Sequence, residues 1–124
     1  MLGDWSEVNG QSTEITKQTG VYGFHHGAMS YAFKEDGTAF IGKSGKGRIL
    51  FDGNESTIAS ESYKKNLGGL LIDLDDGYID IKDSNNKTRF YASGGKVGEE
   101  AKPYFEITGK NGILLHISEN SYYL

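Results

Sequence analysis

Cysteine is absent from this 124-residue chain. That excludes disulfides, thiolate nucleophiles and Cys-based zinc sites, and it leaves the redox compartment open. Proline occurs once, at Pro103, so the turns must be made by other residues. No apolar run approaches the about 20 residues of a membrane-spanning helix, and no signal peptide is recognisable; membrane insertion is not expected. Thirteen Lys and Arg face seventeen Asp and Glu for a net charge of −4. The basic residues are scattered, with no stripe to track a phosphate backbone, so nucleic acid is not an expected partner. Leu, Ile, Val and Phe number 28 of 124, which gives a lone chain only a thin core. A small, Cys-free chain of this kind is expected to gain stability from association.

Glycine is abundant: 18 residues, roughly double ordinary usage. Eight Tyr and six Phe supply much of the bulky apolar surface, and both favour strands. From Val21 onward, turn dipeptides recur between short apolar runs: Asp36-Gly37, Ser44-Gly45, Asp52-Gly53, Asp76-Gly77 and Asn111-Gly112. Asp-Gly and Asn-Gly tolerate positive φ and are the strongest short hairpin signals. The runs predicted as strands are 31–34, 39–42, 48–51, 70–74, 78–82, 87–92, 104–108 and 113–118. Helical periodicity is absent; Ser60–Leu67 is the best helix candidate, short and poorly capped. Residues 1–20 are polar with isolated Leu2, Trp5, Val8 and Ile15, and read as an arm or linker. Residues 21–124 read as the β-hairpin domain.

If Asp36-Gly37 and Asp76-Gly77 are two-residue loops, Phe33 faces Phe40, Leu74 faces Ile79 and Ile72 faces Ile81. Asp73 then faces Asp80, a like-charge pair that destabilises a hairpin. Runs such as Ile49-Leu50-Phe51 and Leu70-Leu71-Ile72 are apolar at consecutive positions, which predicts burial on both faces. The expected fold is therefore all-β: short Gly-turned antiparallel hairpins, intertwined between copies in a fibre-like or sandwich assembly. Ile41–Phe51 and Thr108–Leu115 share a strand, a Gly-Lys-x-Gly turn and an apolar strand, a weak internal repeat. The chain ends at Tyr122-Tyr123-Leu124 in what reads as a further strand, as if a longer protein continued.

Several patterns hint at chemistry. Gly37-Thr-Ala-Phe-Ile-Gly-Lys-Ser44 matches the phosphate-binding pattern G-x-x-x-x-G-K-[ST], but its interior is strand-like and Gly45-Lys46-Gly47 stands where a helix should start; two hairpin turns are expected instead. His25-His26 is the only histidine pair, and adjacent strand residues point to opposite faces. One chain would not direct both at one metal, although copies around a threefold axis could bring one each. Asp73, Asp75 and Asp80 have the hard oxygen ligands that Ca²⁺ prefers, with Asp76 beside them; a solvated face is the plainer reading. Asp73 and Asp80 also invite comparison with a glycosidase pair, yet a regular hairpin face is not a cleft, and the serines of 60–62 have no histidine nearby in the pattern. No enzyme is expected. Trp5, Tyr22, Tyr63, Tyr91 and Tyr122-Tyr123 are candidate stacking residues for sugars or proteins. With His25 and His26, the residues Trp5, Tyr22 and Tyr63 form the expected ligand-contact set.

The segment Phe33-Lys-Glu-Asp-Gly-Thr-Ala-Phe-Ile-Gly-Lys-Ser-Gly-Lys-Gly-Arg-Ile-Leu-Phe-Asp-Gly-Asn54, then Ile58-Ala-Ser60 and Leu71-Ile-Asp-Leu-Asp-Asp-Gly-Tyr-Ile-Asp80, resembles repetitive regions of tail and minor structural proteins from phages of Gram-positive bacteria. Asn120-Ser-Tyr-Tyr-Leu124 resembles another such unit cut short. The resemblance covers residues 21–124 and carries no catalytic signature. It implies a virion protein, extracellular and homotrimeric, forming a tail fibre or tail-tip element that contributes to recognition of a host cell-surface polysaccharide. A monomeric carbohydrate-binding β-module of a bacterial surface protein is the alternative.

Overall fold

A computed structural model describes residues 2–4, 19–94, 103–118 and 121–123; for 2–4 and 121–123 only the backbone is described. The protein is all-β. Its strands are β1 (Leu2–Asp4), β2 (Thr19–His25), β3 (Ala28–Lys34), β4 (Thr38–Ile41), β5 (Ile49–Asp52), β6 (Thr57–Ser60), β7 (Gly69–Asp73), β8 (Tyr78–Lys82), β9 (Thr88–Ser93), β10 (Tyr104–Gly109), β11 (Gly112–Ser118) and β12 (Ser121–Tyr123). Each pairs antiparallel with its neighbours in sequence, so the sheet order is the chain order. One turn of helix, α1 (Glu61–Lys64), interrupts the meander between β6 and β7. It falls within the weak helix candidate: Ser60 caps it, its Oγ accepting the Tyr63 amide at 3.4 Å. The arm contributes β1, which pairs with β2 through Leu2↔Val21.

The turns lie where the dipeptides predicted, but two registers differ. The β3–β4 loop holds three residues, with Gly37 at φ 88 and its amide donating to the Lys34 carbonyl at 3.2 Å. This is the three-residue hairpin loop closed by a left-handed glycine. Phe33 accordingly pairs with Ala39, and Phe40 with Ala32, on the other face. The β7–β8 loop holds four residues, so Ile72 pairs with Ile79, Asp73 with Tyr78, and Asp80 with Leu71. The Asp73–Asp80 confrontation does not exist. Asp73 instead organises the turn, its Oδ1 accepting the amides of Asp75 (3.0 Å) and Asp76 (2.7 Å). Asp52 does the same for Asn54 and Glu55, and Asp83 for Asn85 and Lys87. The short Asp side chain satisfies loop amides that no strand can reach.

The phosphate-loop look-alike also resolves into hairpin. Its interior is β4, and the following Gly45 amide is held at 3.0 Å by the Glu61 carboxylate, which also accepts from Ser44 at 2.8 Å. Buried Arg48 ties the same loop down: its Nε donates to the Gly42 carbonyl at 2.9 Å, and its guanidinium carbon lies 4.0 Å over the Phe40 ring. Burial pushes the Glu61 carboxyl up, but Ser44, Gly45, Lys65 and Arg48 outweigh it and hold Glu61 below its ordinary value.

Following the register sorts the side chains into two faces. One face carries the row Tyr22, Ala32, Phe40, Leu50, Ala59, Leu71, Asp80, Tyr91, Glu106 and His116. Its N-terminal half is the core, where Tyr22, Met29, Ala32 and Phe40 cluster with Phe24 and Leu50 beside them. Its C-terminal half turns polar and aromatic. The other face carries Val21, Phe33, Ala39, Phe51, Ile58, Ile72, Ile79, Ala92, Phe105 and Ile117 in one row. A parallel row holds Tyr31, Ile41 and Ile49 at one end and Leu70, Ile81, Phe90, Ile107 and Leu115 at the other. Gly23 lies under Tyr31 on this face: a Cβ there would fall inside the Tyr31 ring, so the glycine gives the ring its seat. Burial on both faces was the expectation; among the described residues only the Tyr22 row is covered.

Candidate functional site: an aromatic and acidic groove

The polar half of the Tyr22 face is built by β8–β11. In these strands aromatic and acidic residues alternate with apolar ones: Tyr78 and Asp80, Tyr91 and Ser93, Tyr104 and Glu106, His116 and Ser118. Period-two alternation puts all of them on one side, and the pairing brings their rings together. Tyr78 stacks on Tyr91 with centroids 5.4 Å apart. Tyr91 meets Tyr104 edge-to-face at 5.6 Å, and Tyr104 meets His116 edge-to-face at 4.9 Å. These are favourable aromatic separations, each pair contributing about 0.5–1.5 kcal/mol beyond burial.

Two carboxylates stand among the rings. Glu106 Oε2 accepts from the Tyr104 hydroxyl at 2.6 Å and is 2.9 Å from His116 Nδ1. The Tyr104 bond first, then that with His116, holds the Glu106 carboxyl below its ordinary value. Asp80, only 6% exposed, accepts from the Tyr63 hydroxyl at 2.7 Å and from Thr88 Oγ1 at 2.9 Å. Burial and then the Asp80 bond push the Tyr63 phenol well above its ordinary value, and Lys82 Nζ lies 5.0 Å from the Tyr63 ring centre. A groove of about 430 Å³ lined by Thr88, Tyr91, Ser93, Tyr104 and Glu106 opens over these groups. A larger cavity, about 600 Å³, opens against Ile72, Leu74, Ile79, Ala92, Phe105 and Ile117. Its lining is mostly apolar, so the groove is the place where a polar ligand finds both rings and hydrogen-bonding groups.

Of the expected contact residues, Tyr22 is a core side chain, 1% exposed, and its ring is not offered to a ligand. Tyr63 is part-buried and bonded to Asp80 at the margin of the site. His25 and His26 lie at the β2–β3 turn, far along the sheet from the groove. His26 takes φ 52 there, and this turn, unlike a strand, brings the two rings into contact at 4.0 Å. Trp5 lies outside the described residues. Asp73 and Asp80 are engaged by turn amides and hydroxyls, Asp75 lies in the exposed turn, and no three His, Asp or Glu converge as a metal site among the described residues. Tyr91 was singled out in the sequence and is central to the groove. Tyr78, Thr88, Tyr104, Glu106 and His116 were missed; their alternation was visible, but their convergence depends on the register of four strands. No protein-family model, curated protein or solved structure matches this chain.

Proposed function

We propose that this chain is a non-enzymatic structural and recognition module, a tail-fibre or tail-tip element of a virion that works as a homotrimer and contributes to binding of a host cell-surface glycan. The observation that carries the glycan reading is the Tyr91–Tyr104–Glu106 groove. Tyrosine rings offer apolar faces and edges to sugar C–H groups, while ionised carboxylates and hydroxyls accept and donate to sugar hydroxyls. A binding role fits these groups better than hydrolysis does. A general acid needs a raised pKa, whereas Tyr104 and His116 favour the ionised form of Glu106. The virion and its homotrimer rest on the sequence resemblance and on the thin core.

The second reading, a monomeric carbohydrate-binding module of a bacterial surface protein, is favoured by one observation: β9 and β10 of a single chain supply the whole groove lining. Binding of purified Gram-positive wall polysaccharides to the full chain, followed by calorimetry, tests the glycan reading. Tyr91→Ala and Glu106→Gln are each expected to weaken binding about tenfold or more, as loss of a central aromatic or charged contact does. Binding that neither change affects, or release of reducing ends from the polysaccharide, would overturn it.

A further inference from the structure

Among the described residues, nothing covers the face opposite the groove. Nine of its large side chains, Phe33, Ile41, Ile49, Ile81 and Ile117 among them, are between 37% and 49% exposed. At about 70 Å² apiece they present on the order of 600 Å² of apolar surface, and the half-buried side chains between them extend it. A soluble monomer seldom shows a contiguous apolar patch beyond about 300–600 Å². Each partner in an ordinary stable interface contributes about 800 Å². The patch is thus of the size that one interface consumes.

We infer that this face is the surface through which copies of this chain associate, packing sheet against sheet. The occupant follows from the composition of the face. Neither of its two rows contains a charged residue, so nothing on it would select a foreign partner by charge. Interfaces this apolar are those of permanent homo-oligomers. The shape agrees. Sheets that pack face to face interdigitate their inner side chains across about 10 Å, which requires knobs and hollows on one surface. Phe33 is 49% exposed and paired with the small Ala39; it is a knob. Ala92 lies in the hollow of about 600 Å³ walled by Ile79, Phe105 and Ile117. Two copies face to face, or three around an axis, remove the face from water while leaving the groove outward. The inference deepens the assembly part of the proposed function and is independent of its glycan part.

The test is the mass of the full chain by light scattering, with Ile49→Lys and Ile81→Lys as variants and far-UV circular dichroism as the folding check. The wild type is expected at two or three chain masses, and each variant at one, with strand signal retained. A second measurement serves if a variant fails to fold. The chain has no cysteine, so Ile81→Cys introduces a unique thiol on the face, and Asn85→Cys one in an exposed turn. The thiol at 81 is expected to react with a maleimide at least tenfold more slowly than that at 85. A wild type that stays monomeric at high concentration with equal thiol reactivities overturns the inference. So does a multimer whose mass survives both lysine variants.

Discussion

Removing one oxygen atom from the protein, in Tyr63→Phe, measures what the buried Asp80 carboxylate requires. Asp80 is 6% exposed and holds two hydroxyl donors, Tyr63 at 2.7 Å and Thr88 at 2.9 Å. The substitution keeps the ring, so the packing and the Lys82 contact at 5.0 Å remain. What is lost is a hydrogen bond to a charged acceptor, about 1.5–3 kcal/mol, and the carboxylate is left with one hydroxyl fewer in a site closed to water. We expect a loss of about 2 kcal/mol, or about 8 °C in Tm for a domain of this size. Urea and thermal melts at a fixed chain concentration read it, since association shifts apparent stability. In the Asp80→Asn background the same change should cost less than about 1 kcal/mol, because the acceptor is no longer ionised. The sign at alkaline pH is also fixed. The folded state raises the Tyr63 phenol above its unfolded value, so its stabilisation is complete below about pH 10 and is lost as pH rises from there through the folded pKa. Tyr63→Phe removes that share of the alkaline loss. A cost below about 0.5 kcal/mol, or equal costs in both backgrounds, would refute the reasoning.

Gly68→Ala is expected to destabilise by more than the roughly 1–2 kcal/mol of a left-handed alanine, because at φ 89 its Cβ would fall on the Asp83 carbonyl oxygen. Gly45→Ala, at φ 80 with open space around it, should cost only the conformational part, and paired urea titrations separate the two. Glu106 has a folded pKa below its unfolded value; its stabilisation is present above about pH 4.5 and is lost as pH falls through the folded pKa. Glu106→Gln should therefore flatten the acid limb of a Tm-against-pH curve.

The positions of the strands were largely legible, because glycine marks every turn from β3 to β11 except the one between β8 and β9, which Asp83-Ser-Asn-Asn86 makes. The register was not. A two-residue loop at Asp36-Gly37 and a three-residue loop read alike in sequence, yet the second moves Phe40 into the core and leaves Phe33 on the open face. In the Asp cluster near residue 75, the role of Asp73 in accepting the turn amides of Asp75 and Asp76 depends on the loop length and could not be read from composition. β2 and β6 escaped notice because Gly20 and Gly23 dilute one and the other has Ile58 as its single large apolar residue. The groove was hidden for the same reason as the register. Tyr78, Tyr91, Tyr104 and His116 come from four separate strands, and only their pairing makes them neighbours.

The meander has one more consequence. Every described strand pairs by hydrogen bonds only with its neighbours in sequence, so the sheet approximates a linear array in which stability is passed along from neighbour to neighbour. Each strand pairs with the next in sequence, and such local contacts favour rapid zipping from a well-formed hairpin. Such a ribbon is extendable: a hairpin inserted at an exposed turn lengthens the sheet without repacking a common centre. Its length, the number of side chains in each row, and the reach of the surface it presents are thus set by how many hairpins evolution strings together. Amide exchange should accordingly run as a gradient along the ribbon, instead of collapsing to a single global value.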